Sequence, residues 1–173
     1  VAGPARTYAH VTLLRVDTST GAVDLRYALD TTPSVASVRH TRLRVTLGRD
    51  RQYVVVSEGS ETRQDDPGYP ARQHVVDVRA RRHATFAVPA TPAATVLDAT
   101  SGALVVASAK QGTLTRYDLA TGREVARVKT LPKVQRLALS PDRTRLLVLA
   151  SQRDVEVRAW PSLAPLGRMH AED

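Results

Sequence analysis

The stretch "SEGSETRQDDPGYPARQ", residues 57–73, gathers Glu58, Glu61, Asp65 and Asp66 around Tyr69 in a segment stiffened by Gly and Pro. Carboxylates this close together have two chemical uses: they hold a hard cation through oxygen, or they meet a partner's surface. The spacing fits no calcium loop, and the chain contains no Asn to supply a neutral oxygen. The functional reading is a recognition loop; the plain reading is a solvent-exposed insertion, since lengthening a surface loop costs little.

Other reactive residue types are scattered. His10, His40, His74, His83 and His170 show no i,i+2 or i,i+4 pairing, and His74 and His83 flank one expected outer hairpin as surface or strand-end residues. With no Cys, disulfides, thiolate metal sites and cysteine nucleophiles are excluded. The chain has no G-x-S-x-G elbow, Walker loop, G-x-G-x-x-G or H-E-x-x-H, so no catalytic residues, metal or cofactor are expected.

The formal charge of +8 invites a nucleic-acid reading. Yet only Lys110, Lys129 and Lys133 among the 25 basic residues are Lys, the rest being Arg, and Ile and Asn are absent. That pattern follows from GC-rich codons and points to a bacterial source. The arginines fall along strands, at Arg15, Arg26, Arg44, Arg79, Arg116, Arg136 and Arg158, as a solvated face would place them. Aromatics are 4% of the chain, too few to give bases a stacking platform. Nucleic acid is thus the least favoured partner. No apolar run reaches the roughly 20 residues of a membrane span.

Elements that could position any of these groups emerge from self-similarity. "YDLATGREVARV" (117–128) echoes "VDTSTGAVDLRY" (16–27), both with Asp-x-x-Thr-Gly. Asp accepts backbone N–H groups at the turn start, and Gly takes the positive φ that closes a hairpin. Weaker copies at 74–88 and 155–169 align Asp17, Asp77, Asp118 and Trp160, with Arg81 and Ala164 in place of the Gly. Trp160 is read either as a partner anchor or as a residue packed into the core. A second pattern, strand–polar turn–apolar strand, recurs at 43–59, 94–112 and 134–154 and aligns Leu47, Leu97 and Leu139. Its runs "YVVV", "LVVA" and "LLVLA" suit strands buried on both faces, whereas "TLTRYDL" and "VEVRAW" alternate as half-exposed outer strands do. Four strands about every 42 residues, with dry inner strands, make a propeller blade.

Ser140-Pro141-Asp142 before a strand, then Tyr117-Asp118-Leu119-Ala120-Thr121-Gly122, resembles the β-propeller repeats of the YVTN, TolB-like and WD40-like group over about residues 11–171. The strict Trp-Asp and Gly-His signature is missing, which favours the YVTN or TolB-like branch. The fold expected is all-β, with blades of four antiparallel strands, about three and a half in number. Residues 1–10 are an N-terminal extension and 11–29 the outer two strands of a first blade. A second blade spans 34–89 with a b–c insertion at 57–73, a third 94–130 and a fourth 134–171.

The resemblance implies that b–c and d–a loops share one rim, where partners bind. The candidate contacts are Asp65, Asp66, Tyr69, Lys110, Gln111, Lys133 and Arg153. The expected function is a non-enzymatic interaction or scaffold module, its partner a protein or the rest of the propeller, supplied by a second copy or second subunit. One alternative is the propeller portion of a larger hydrolase or lactonase-like enzyme with its chemistry outside this segment; another is a basic nucleic-acid-binding surface. The compartment, bacterial cytoplasmic or exported, is left open by the sequence.

Overall fold

Alternating apolar residues, broken by turns rich in Asp, Ser and Gly, fold into antiparallel strands and nothing else among the described residues. The structure, a computed structural model, describes residues 10–16, 19–30, 41–48, 52–60, 71–88, 92–108, 111–150 and 153–170. A first sheet pairs β1 (His10–Val16) with β2 (Val23–Asp30). The second runs β3 (Thr41–Leu47), β4 (Tyr53–Ser60), β5 (Ala71–Asp77) and β6 (Arg82–Val88). The third comprises β7 (Ala94–Asp98), β8 (Ala103–Ser108), β9 (Thr113–Asp118) and β10 (Glu124–Lys129). The fourth comprises β11 (Arg136–Leu139), β12 (Arg145–Leu149), β13 (Asp154–Ala159) and β14 (Pro165–His170). Each four-stranded sheet is a simple meander, ordered as in the chain.

Strand alternation sends successive side chains to opposite faces, so every inner strand serves two cores. Val54, Val56 and Val76 pack with Leu29 toward the first sheet. Val55 and Val75 pack with Leu97, Leu104, Val106 and Tyr117 between the second and third sheets. Val105, Ala107 and Leu114 meet Leu146, Val148, Trp160 and Leu163 between the third and fourth. Each fully buried Leu or Val contributes about 1.5–3 kcal/mol relative to exposure. These seams hold the sheets face to face.

Strand burial differs from the sequence expectation in two places. β8 is buried throughout, but β12 is buried only at Leu146 and Val148, because among the described residues no sheet covers its other face. β9, expected to be half exposed, is largely buried, since its two faces meet neighbouring sheets, Tyr117 toward the second and Leu114 toward the fourth. Exposure falls instead on the fourth strands, β6, β10 and β14.

The turn chemistry follows the repeat. Asp118 Oδ1 accepts the Thr121 N–H at 2.8 Å and the Thr121 hydroxyl at 2.7 Å, and Gly122 closes the turn at φ +67°. Those two bonds, the side-chain one foremost, hold the Asp118 carboxyl below its ordinary value. Asp77 repeats the arrangement with the Arg79 and Ala80 N–H groups, and Arg81 adopts the positive φ of the missing glycine. In the fourth copy that role falls to Leu163 (φ +64°), one residue before the aligned Ala164. In "SPDRT", Asp142 accepts from the Ser140 and Thr144 hydroxyls and the Thr144 N–H, which lowers its carboxyl to about 2.

Candidate interaction rim

Three connections meet along one rim. The Thr130 N–H donates to Gly112 O at 2.9 Å, tying the β10–β11 linker to the β8–β9 turn. Lys129 Nζ reaches Gln111 O at 3.5 Å. Farther along, Gln135 N–H bonds Leu149 O at 2.7 Å, and Ala150 N–H bonds Asp154 O at 3.0 Å in the β12–β13 turn. Below the linker, the Thr130 hydroxyl donates to Glu156 Oε2 at 2.5 Å. Glu156 is itself held by Arg158 at 2.8 Å, and a second Arg158 N–H reaches Leu163 O at 2.7 Å. Arg158 also donates to Lys129 O. The linker is therefore fixed from beneath by a buried ion pair.

This moored linker carries Lys133, which is exposed and adopts φ +57°, a region uncommon for residues with a Cβ. Gln111 and Arg153 are also exposed, on the neighbouring turns of the same rim. Lys110, Asp65, Asp66 and Tyr69 lie outside the described residues. Glu58, read from sequence as part of the acidic loop, is instead on β4 and fully buried. The strands on either side run further than the apparent insertion suggests, and Ser57 bonds Gln73 across them at 2.8 Å.

Beside Lys133 the rim opens into a recess of about 600 Å³. Its lining adds Arg168, Met169 and His170 from β14 to Leu131, Pro132 and Asp154. Asp154 and His170 stand opposite one another in the β13–β14 register, with His170 Nδ1 2.7 Å from Asp154 Oδ1. No sequence motif announced these β14 residues; only the register brings them under Lys133. The lining mixes the cations Lys133 and Arg168 with the Asp154–His170 pair and the apolar Leu131, Pro132, Ala150 and Met169. A smaller recess of about 250 Å³ lies at the opposite ends of β3, β7 and β11, lined by Thr46, Leu47, Thr95, Leu97 and Arg143 among others.

Other chemistry-bearing side chains lie in the seams. Asp98 ends β7 and accepts from Ser101 Oγ at 2.8 Å, Trp160 Nε1 at 2.9 Å and Arg143 Nη1 at 2.9 Å. Burial works to raise its pKa, but these bonds and the Thr100 N–H outweigh it and hold the carboxyl below its ordinary value. Trp160 is thus a core residue bridging two sheets. His74, expected near the surface, is fully buried on β5, 3.0 Å from Thr85 Oγ1 and 3.5 Å from Glu58 Oε2, with its ring stacked on exposed His83. Arg158 likewise departs from the solvated reading. Among the described residues, no group of three or more His, Asp or Glu is placed to hold a metal ion. Nor is any helix there long and apolar enough to cross a membrane.

No family model and no curated protein matches the sequence. Among solved structures, the Kuenenia stuttgartiensis hydrazine synthase superposes with a TM-score of 0.60 over 82% of this chain, at 17% identity. That likeness, added to successive four-stranded meanders packed face to face, decides the architecture. The chain is an arc of a β-propeller. Its described residues form about three and a half blades, and the chain spans 40% of the length of the structure it matches. In propeller terms β3, β7 and β11 are the innermost strands, β6, β10 and β14 the outermost, and Lys133 sits in a d–a loop.

Proposed function

We propose that this propeller arc is a non-enzymatic interaction module that holds a protein partner on its b–c/d–a rim. The observation that carries this reading is the moored linker: a buried Glu156–Arg158 pair fixes the segment that presents Lys133 above an open recess. A rim built to stay rigid lowers the ordering cost of binding, which is where a preorganised surface gains affinity. Gln111, Lys133 and Arg153 are the described contacts, and Lys110, Asp65, Asp66 and Tyr69 extend the same assignment to the adjoining loops. Within the propellers, the Asp-x-x-Thr-Gly turns and the Ser-Pro-Asp entry support a place in the YVTN or TolB-like branch.

The test places a photo-crosslinking residue at Gln111 or Lys133, and at Thr121 on the opposite rim, in otherwise intact protein. The expected result is one protein crosslinked from Gln111 and Lys133 but not from Thr121. Its affinity should fall at least about tenfold, worth 1.4 kcal/mol, when residues 61–70 become a short Gly-Ser turn and Lys133 and Arg153 become Glu. Unchanged affinity, or crosslinking from Thr121 alone, overturns the rim. A second reading draws on the length relation: the matched structure is named as an enzyme, and this arc covers 40% of it. On that reading the chain is the propeller portion of a larger enzyme whose chemistry lies elsewhere.

A further inference from the structure

We infer that the outer strand of the second blade carries an acyl-acceptor site: Thr85 is a nucleophile, activated by His74 and Glu58, that takes an acyl group from an activated ester. The site goes beyond the interaction reading and shares no residue with the rim contacts. Its residues come from β4, β5 and β6, and only the strand register brings them together. His74 on β5 stands opposite Thr85 on β6, and Val76 opposite His83, so His74, Thr85 and His83 share one face of the sheet. Across the β4–β5 pair His74 stands opposite Val56, and Glu58, two residues farther along β4, lies on that same face.

The contacts run in one direction, from a buried carboxylate to a surface hydroxyl. His74 Nε2 lies 3.5 Å from Glu58 Oε2, and both side chains are fully buried. A carboxylate oxygen accepts, so the ring proton belongs on Nε2 and Nδ1 is left as an acceptor. That nitrogen is 3.0 Å from Thr85 Oγ1, whose hydroxyl donates its one proton to it. Thr85 Oγ1 also lies 3.2 Å from His83 Nε2. With its own proton directed at His74, the hydroxyl accepts there and His83 is the donor. Thr85 and His83 are exposed, whereas the base and its carboxylate are dry. His83 is held by stacking on His74, with ring centroids 5.8 Å apart, and by a tilted contact with Tyr27 at 6.0 Å.

A hydroxyl within reach of a base that a third group orients is what nucleophilic catalysis uses. A threonine hydroxyl is a weak nucleophile until a base takes its proton during attack. Thr85 Oγ1 attacks the carbonyl carbon of the ester, and the new C–O bond forms as the proton passes to His74 Nδ1. Negative charge moves onto the carbonyl oxygen, where the neighbouring His83 N–H can meet it. On collapse, the bond to the leaving alcohol breaks and the alcohol takes the proton from His74. The products are an acylated Thr85 and the free alcohol. Glu58 touches no reacting atom; it is a positioning residue that fixes the His74 tautomer.

The probe is p-nitrophenyl acetate, added to the intact chain and followed by nitrophenolate release and by peptide mapping of the acetyl group. Thr85 is expected to acetylate at least about a hundredfold faster than Ser162, an exposed hydroxyl in the same chain, which is the scale of general-base assistance. That ratio needs no variant to fold. Thr85→Ser should keep the fast phase and Thr85→Val should remove it, both at an exposed position. His74→Gln should slow it about a hundredfold. Nitrogen NMR of the native protein should find the His74 proton on Nε2. Equal labelling of Thr85 and Ser162, a fast phase that survives Thr85→Val, or a proton on His74 Nδ1 overturns the inference. So does a fast phase that disappears in His83→Gln while Thr85 is never labelled, because the exposed imidazole would then be the acceptor. Rim crosslinking reads other residues, so either assignment can fail alone.

Discussion

The seam between the second and third blades and the seam between the third and fourth are built on the same apolar plan but handle polar groups differently. The second–third seam uses mainly neutral side chains, with Arg44 donating to Ala93 O as its one charged contact among the bonds described. Ser57 Oγ lies 2.8 Å from Gln73 Oε1 and 3.4 Å from Thr95 Oγ1, and Gln73 Nε2 is buried with no hydrogen-bond partner. Phe86 and Tyr117 add a tilted ring contact, and Gly122 comes so close to Phe86 that a Cβ there would sit 3.1 Å from the ring. The third–fourth seam uses ions: Asp98 bridges to Trp160 and Arg143, while Glu156 and Arg158 hold the linker. A neutral seam depends on packing and tolerates losing a polar group. An ionic seam adds direction and register, but each charge then depends on its partner.

Four substitutions, one of them a rescue, would break or sharpen this contrast. The largest effect is expected for Arg158→Met, which strands the Glu156 carboxylate inside the seam and should cost about 3–5 kcal/mol in denaturant unfolding. Adding Glu156→Gln should recover much of it, because the uncompensated charge is removed. A loss under about 1 kcal/mol for the single variant would mean the pair is solvated and the seam not truly ionic.

Trp160→Phe should cost less, about 1.5–3 kcal/mol, the range for a hydrogen bond to a charged acceptor. It should also change the pH profile. A carboxyl held below its ordinary value stabilises the fold fully above that value, near 3.8 for Asp98, and the contribution is lost as pH falls through the lower folded value. Without the indole N–H the folded value rises toward the ordinary one, so the stability lost on acidification should be smaller and should level off at a higher pH than in the parent. Coincident acid limbs would show that Trp160 acts by packing alone.

The smallest effect belongs to the neutral seam. Gln73→Leu removes a buried donor that has no partner, and should be neutral or stabilising by up to about 1 kcal/mol. It also strips the acceptor of Ser57, which sets the limit on the gain. Marked destabilisation would place a satisfied hydrogen bond on Gln73 Nε2 and erase the distinction between the seams.

Much of the architecture was legible because its causes are local. Asp118, Thr121 and Gly122 make their turn from neighbouring atoms, and the same chemistry at Asp77 and Asp142 could be recognised without knowing what the strands pack against. The near-continuous apolar runs of β4 and β8 foretold strands with two dry faces. What sequence reading misplaced were Glu58, His74 and Arg158, taken for loop or surface residues and found fully or almost fully buried. A charged residue in an alternating strand looks the same whether its face meets water or another blade. Only the partner across the seam distinguishes the two.

By itself, then, the sequence determined the repeat, its turns and the four-stranded meander, since these rest on interactions among residues close in the chain. The tertiary structure alone decided which charges are buried, that Arg168 and His170 lie under Lys133, and that Leu47 is bare while Leu97 is covered. Those outcomes depend on which sheet lies opposite, and identical repeat positions acquire different environments when one neighbour has four strands and the other two.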